Sequence, residues 1–287
     1  MYKSIVTEIT KKQKPKLLVI SAAAFSQGNW NLTDEVYLRK WIDNMPMSQN
    51  KLDTVKTIPK NINKDDEKVK DNISDTLYFP LEKYHGNWKD PEAVYTSFVT
   101  RAYMRLSGGG YLKGFYSKTG ITGGRDNLAN IGQPTKEAYV LTDECRAYLK
   151  ELLSYCNKLG IEHVLLLQPP HETQAADKSG LEQIESITKE YGYDFLDLST
   201  DYESIAGIDD SHDFADFEHL NAYGAKKLTA YIGDMAVNQY GIKSDTAKSE
   251  LSRWKKSVKR TKKALKMARE YTDRGEAQVV GEYEAAK

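Results

Sequence analysis

Short apolar runs alternate along this chain with longer segments in which apolar residues recur at helical spacing. The runs have the length of buried strands and lie at 16–20, 161–167 and 193–198. A helix is predicted to end just before the first run, and three more helices are predicted at about 142–159, 180–191 and 222–240. Gly160 and Gly192 stand where two of these helices should stop. Strands that alternate with helices in this order predict an α/β fold with a doubly wound parallel sheet.

Residues 27–134 follow a different pattern, in which Asn, Asp, Lys and Gly repeatedly interrupt the apolar positions. Glycine clusters at 108–110 and 123–124 are expected to break regular structure. The interruption predicts a large insertion or lid within an α/β domain that covers 1–242. Residues 243–287 then form a separate helical tail.

Composition narrows the class of protein only slightly. A chain of 287 residues, 40% of them hydrophobic, is long enough to bury a full core. The formal net charge is zero, so overall charge favours neither nucleic acid nor an acidic substrate. No run approaches the roughly 18 apolar residues that span a bilayer, and residues 1–15 lack the apolar centre of a signal peptide. Cys145 and Cys156 fall about three turns apart in one predicted helix, so they are not expected to pair.

The strongest chemical signal is a carboxylate three residues before a histidine, Asp216 and His219, on a polar segment that enters a helix. In this arrangement Asp216 can hold the imidazole in one tautomer and leave its other nitrogen free to accept a proton from a nucleophile. Asp213 lies only three residues before Asp216, so it is a second candidate for the carboxylate that orients His219. The spacing therefore predicts half of a hydrolytic triad.

The stretch Asp216-Phe-Glu-His219-Leu-Asn221-Ala-Tyr-Gly224 resembles the last conserved block of the SGNH (GDSL-type) hydrolase superfamily. The form Asp-x-x-His-Leu-Asn-x-x-Gly is most similar to bacterial members that act in cell-surface acyl chemistry, relatives of the teichoic acid D-alanine transfer protein. The resemblance implies flavodoxin-like layering, Asp216 and His219 as acid and base, and a serine nucleophile at the end of the first strand. The resemblance extends over about 14–240, but it is strong only over about 148–240.

The nucleophile does not match the family pattern, because the chain contains no Gly-Asp-Ser. Ser21 directly follows the first predicted strand and is one candidate, and Ser26-Gln27-Gly28-Asn29 loosely matches an oxyanion block. In the favoured alternative, 13–20 corresponds to a middle strand of the family. The membrane anchor and the nucleophile strand would then belong to a missing front part of the protein.

Three further residues are candidates for substrate binding. His85 lies in Tyr84-His85-Gly-Asn-Trp88, which resembles a motif of the same bacterial SGNH-like cell-surface proteins. The alternative is that Tyr84 and Trp88 pack the insertion against the sheet and that His85 has no role in binding. His171 follows the second predicted strand, and Asn29 belongs to the loose oxyanion match. No ligand spacing indicates a metal and no glycine-rich loop fits a phosphate, so we expect no cofactor.

The tail is predicted to form a basic amphipathic helix. Nine basic residues and no acidic one lie between Arg253 and Arg269, and apolar residues recur at 251, 254, 258, 265 and 268. This helix could contact an anionic membrane or teichoic acid, or it could pack its Trp254 and Leu265 stripe on its own domain. Nucleic acid is not an expected partner, because no aromatic residues are interleaved in a basic groove motif.

Together, the motif and the resemblance predict an SGNH-type serine ester hydrolase or O-acyltransferase that acts on an acylated cell-envelope carbohydrate or polyol. The alternative is a truncated, non-catalytic relative or an envelope-polymer binding protein. The resemblance also implies a full-length protein that is extracytoplasmic and membrane-associated, although no export signal stands in this sequence.

Overall fold

The computed structural model describes residues 1–26, 35–57, 77–78, 86, 89–107, 110–121, 139–170, 177–216, 219–243, 248–282 and 284. The helices among them are α1 (Tyr2–Thr10), α2 (Ala23–Ser26), α3 (Glu35–Ile42), α4 (Gln49–Thr57), α5 (Pro91–Ser107), α6 (Asp143–Lys158), α7 (Ser179–Glu190), α8 (Tyr202–Ala206), α9 (Ala222–Asn238) and α10 (Lys248–Asp273). The strands are β1 (Leu17–Ser21), β2 (Ser117–Lys118), β3 (His163–Gln168), β4 (Asp194–Asp197), β5 (Phe214–Asp216), β6 (His219–Leu220) and β7 (Val279–Val280).

The chain divides into two compact units. The first comprises Met1–Ser97, Ala138–Leu167 and Asp177–Leu196, and the second comprises Phe98–Glu137, Gln168–Ala176 and Asp197–Lys287. This division differs from the predicted boundary at 242/243, because the tail falls in the second unit together with residues 197–242. The predicted insertion, 27–134, is shared between the units.

The first unit contains the parallel sheet, apart from the last residue of β3 and of β4. The strands lie in the order β1-β3-β4, and Leu17 to Ser21 pair in parallel with His163 to Leu167. Residues Val164 to Gln168 of β3 are all buried, as expected for the middle strand of a parallel sheet. Val19 of β1 remains 42% exposed, which fits its place at one side of these three strands. The α/β class is thus confirmed. The three described strands follow one another across the sheet in chain order, so the reversal of strand order that defines a doubly wound sheet is not seen among them, and the doubly wound layering stays a prediction.

Helix α6 carries much of the apolar core of the first unit. Thr142 caps its first turn by accepting the amide of Cys145, and its buried side chains are Cys145, Leu149, Leu152, Leu153 and Cys156. Tyr148 and Tyr155 of the same helix are only partly buried. These tyrosines contact α1 instead: the amino group of Met1 donates to the Tyr148 hydroxyl at 2.8 Å, and the Tyr155 hydroxyl lies 2.9 Å from Thr7 Oγ1.

The second unit is built from short antiparallel strands and two long helices. Strand β2 pairs with β7, Ser117 opposite Val280 and Lys118 opposite Val279. Strand β5 pairs with β6, and this hairpin leads directly into α9. A core of small and apolar side chains joins these elements: Leu112, Ala222, Ala264, Ala268 and Val280.

The tail forms the predicted helix, α10, but only part of the predicted stripe is buried. Ala264 and Ala268 pack in the core and Leu265 packs against it, whereas Trp254 and Val258 are each 51% exposed. The tail continues past the helix to β7 and Glu282. The Glu282 carboxylate accepts the backbone amides of Tyr111 and Leu112 at 2.9 and 2.7 Å.

Candidate functional site

The site is organised by the short hairpin of β5 and β6. Asp216 and His219 are paired residues across this hairpin, so their side chains emerge side by side. His219 Nδ1 lies 2.7 Å from Asp216 Oδ1. The predicted polar turn is thus an irregular β-hairpin, and a spacing of three residues suffices to bring the two groups into hydrogen-bond contact.

Lys118 is a third member of this cluster, and sequence reasoning missed it. Its Nζ donates to Asp216 Oδ2 at 2.9 Å and lies 3.2 Å from His219 Nδ1. The three side chains are 35% (Lys118), 32% (Asp216) and 40% (His219) exposed, so a solute can reach them. No motif could have identified Lys118, because it precedes Asp216 by 98 positions and is placed by the pairing of β2 with β7.

The geometry selects a tautomer for His219. A bare Nδ1 lone pair at 2.7 Å from a carboxylate oxygen would be repulsive, so we assign the proton of the neutral ring to Nδ1, which donates to Asp216. The Lys118 ammonium then makes its hydrogen bond to the other carboxylate oxygen, and its approach to Nδ1 is only an electrostatic contact. Nε2 is left as the acceptor, which is the arrangement that a general base requires.

Asp213 makes different contacts from Asp216. It is fully buried, and its Oδ2 accepts from Lys227 Nζ at 2.6 Å and from the Asp209 amide at 2.8 Å. Its Oδ1 lies 3.0 Å from Nδ1 of His212. Asp216, rather than Asp213, is therefore the carboxylate in contact with His219. His212 and Asp213 form a second aspartate–histidine pair, which the sequence interpretation did not single out. With Lys227 bound to Asp213, this second cluster has the same three residue types as the first, namely lysine, aspartate and histidine.

Asn221 and Gly224, the other residues of the motif, have structural roles. Asn221 is buried and caps α9: its Oδ1 accepts the amides of Tyr223 and Gly224, and its Nδ2 donates to the carbonyls of Gly120 and His212. All four hydrogen bonds of its amide group are satisfied. The bond to Gly120 ties the start of α9 to the loop that follows Lys118, so the cap helps to fix the site.

Gly224 allows a close approach of backbone to helix. A Cβ at this position would lie 2.5 Å from the Asp213 carbonyl oxygen and 2.9 Å from Leu220 Cδ2. The glycine of the motif is explained by this contact, which seats α9 directly against the segment that leads into the hairpin.

Strand β2 is held in place by the tail. The Thr119 amide donates to the Gln278 carbonyl at 3.0 Å, and the Gln278 amide donates to Thr119 Oγ1 at 2.7 Å. The Thr119 hydroxyl also donates to the carbonyl of Glu276 at 2.5 Å. These bonds lie beside Lys118, so the tail forms part of the framework of the site.

The other predicted site residues are not brought into this cluster by any described contact. Ser21 is the last residue of β1 in the first unit, with an exposed side chain and a carbonyl that accepts from the Tyr2 hydroxyl at 3.4 Å. Its role as nucleophile stays a prediction. Asn29, His85 and His171 lie outside the described residues.

The described part of the chain contains neither a metal-ligand group nor a membrane-spanning helix. Within those ranges, no group of three or more His, Cys, Asp or Glu side chains could hold a metal ion. No helix in the same ranges combines the length and the apolar character needed to cross a bilayer.

Comparisons with known proteins returned no match: no family model, no curated protein and no solved structure is significantly similar to the chain. The fold class and the local geometry therefore define an α/β protein that carries a solvent-accessible Lys–Asp–His cluster. The family relationship stays a prediction from the motif.

Proposed function

We propose that this chain is an SGNH-type serine ester hydrolase or O-acyltransferase that acts on an acylated cell-envelope carbohydrate or polyol. The observation that carries the proposal is the 2.7 Å contact between His219 Nδ1 and Asp216 Oδ1, which leaves Nε2 as a proton acceptor on a side chain that is 40% exposed. The similarity of the surrounding sequence to the last SGNH block supports the same assignment.

In the proposed mechanism, His219 Nε2 takes the proton of a serine hydroxyl as the oxygen attacks the acyl carbonyl. Asp216 stabilises the imidazolium that forms, and Lys118 holds the second oxygen of Asp216 and so fixes the plane of the carboxylate. The imidazolium returns its proton to the leaving alcohol. Water or an acceptor hydroxyl then releases the acyl group from the serine by the reverse sequence of proton transfers.

A second candidate is a non-catalytic relative that retains the fold and the aspartate–histidine pair. The absence of Gly-Asp-Ser from the sequence favours it. The two candidates differ in whether a serine becomes nucleophilic in a way that depends on His219.

A fluorophosphonate probe separates these candidates, because it labels only an activated serine. The enzyme proposal predicts stoichiometric labelling of one serine, located by peptide mass spectrometry, with Ser21 the expected position. His219→Ala should abolish labelling. His212→Ala is the matched control: it removes the histidine of the other aspartate–histidine pair and should leave labelling intact.

Turnover of a simple acyl ester provides a second measurement. Asp216→Asn should lower it by about 10³–10⁴-fold, because the amide no longer holds the required tautomer. If the folded protein takes up no probe, or if both histidine variants label like the parent, the enzyme proposal fails and the non-catalytic candidate is preferred.

A further inference from the structure

The first half of α10 exposes apolar side chains that the core of the second unit does not use. Leu251 is 40% exposed, and Trp254 and Val258 are each 51% exposed. Their spacing of three and four residues places them on one face of the helix. The helix is anchored further along by Ala264 and Ala268, which are fully buried. The apolar face therefore belongs to a helix that is already docked.

Lysines border this apolar face on one side. Lys255 follows Leu251 by four residues and Lys262 follows Val258 by four, so each lies about 40° around the helix from the face. Between Arg253 and Arg269 the chain has nine basic residues and no acidic one. The positive charge is thus concentrated on the same stretch of helix as the exposed Trp254.

An open groove runs beside the same face. It has a volume of about 300 Å³ and lies between residues 111–113 and α10. Its apolar lining includes Leu112, Trp254 and Val258, and Lys113 and Lys262 also line it. Ser257 contributes to the lining, and its buried hydroxyl has no hydrogen-bond partner in the described part of the chain.

We propose that this face of α10, with the adjoining groove, is a docking surface for an anionic phospholipid membrane. Charge complementarity identifies the partner: lysines beside an exposed apolar face match a surface that is negative at the headgroups and apolar just beneath them. A soluble polyanion would use the lysines and gain nothing from Leu251, Trp254 and Val258. In the docked state Trp254 lies at the headgroup boundary and the groove accepts part of a lipid.

The test is binding of the whole purified chain to vesicles of phosphatidylcholine with about a third phosphatidylglycerol, measured by co-sedimentation and by the blue shift of tryptophan fluorescence. Binding should be at least 10-fold weaker to pure phosphatidylcholine vesicles. It should also weaken as salt rises, because a shorter Debye length screens the lysines.

Two double variants with equal loss of charge test the geometry. Lys255→Gln with Lys262→Gln removes the lysines beside the apolar face and should weaken binding about 30-fold, since each basic residue near an anionic surface contributes about 1 kcal/mol. Lys256→Gln with Lys263→Gln removes two lysines from the far side of the helix and should change binding less than about threefold. Trp254→Ser should weaken binding about 10-fold or more and remove the fluorescence shift, because Trp254 is the largest apolar group on the face. Circular dichroism and thermal melting establish that each variant is folded.

Three results would overturn the proposal. The first is no binding to the anionic vesicles by the folded parent chain. The second is equal weakening by the two lysine pairs, which would indicate diffuse charge attraction. The third is equally tight binding to soluble polyphosphate, independent of Trp254, which would identify the surface as a polyanion site. None of these readouts depends on the proposed ester chemistry.

Discussion

Gly224 offers the sharpest test of how the motif is built. Replacement by alanine would place a Cβ 2.5 Å from the Asp213 carbonyl oxygen, and ordinary contact begins at 3.4 Å, so the carbonyl would have to retreat by about 0.9 Å. The obstacle is backbone on one side and a packed leucine on the other. The same carbonyl accepts the Asn221 amide at 2.9 Å, so a retreat also strains the start of α9.

The magnitude follows from three contributions. Overpacking costs about 1–3 kcal/mol. A weakened hydrogen bond at Asn221 costs about 0.5–1.5 kcal/mol. Alanine regains about 0.5–1 kcal/mol of helix propensity relative to glycine. Gly224→Ala should therefore lower the free energy of unfolding by roughly 0.5–4 kcal/mol, with about 2 kcal/mol as the central value, which corresponds to a Tm lower by several degrees.

Gly233 is the matched control, because it lies in the same helix and a Cβ there would meet nothing within 4 Å. Gly233→Ala gains the helix propensity without the clash and should raise stability by about 0.5–1 kcal/mol. Urea denaturation followed by circular dichroism, together with calorimetry, measures both variants. If Gly224→Ala proved as stable as Gly233→Ala, the close approach of α9 to Asp213 would be refuted as the reason for this glycine.

Three other predictions concern groups around the site and in the first unit. Asn221→Ala should cost about 2–4 kcal/mol in urea denaturation, because it removes the cap of α9 and the tie to Gly120. Burial by itself raises the pKa of Glu282, but hydrogen bonds from the Tyr103 hydroxyl and two backbone amides outweigh it and hold that pKa below the usual value. Because this carboxyl has a lowered folded pKa, its stabilising effect is present above its unfolded pKa of about 4.3 and is lost as the pH falls through the folded value. Glu282→Gln should therefore destabilise the protein at pH 7 and reduce the loss of stability in acid, followed by melts from neutral to acidic pH. Burial raises the pKa of Cys156 to about 11, so this thiol should react with a disulfide reagent at pH 8 only after denaturation.

Each of these three has a result that would contradict it. A stability of Asn221→Ala equal to that of the parent would mean that the four hydrogen bonds of the cap are dispensable. An acid profile of Glu282→Gln parallel to the parent's would show that this carboxylate does not contribute to acid unfolding. Reaction of Cys156 at a free-thiol rate in the folded protein would contradict its burial in α6.

Much of the local structure follows from the sequence, because local structure depends on neighbouring residues. The apolar run at 16–20 predicted β1 nearly to the residue, and a glycine after α6 marked its end. Asp216 and His219 could be paired from sequence because three residues are enough to form a hairpin that sets them side by side. Asn221 could be recognised as a cap from its place before an apolar helix.

Tertiary structure decided which distant groups complete the site. Lys118 reaches Asp216 because β2 pairs with β7, and each of these strands has only two residues, too few for an alternating apolar pattern to mark it in the sequence. Long-range pairing of this kind depends on the contacts of the whole unit, and a local pattern carries no record of it.

The same distinction explains the tail. The sequence determined that α10 is a basic helix with an apolar face, since helical periodicity is local. The sequence left open whether Trp254 packs on the rest of the domain. The fold buries Ala264 and Ala268 with Ala222 and Leu112 instead, and it leaves Trp254 half exposed. Small side chains allow close approach of the packed elements, and which part of a helix is used depends on the shape of its partners. That shape exists only once the chain has folded.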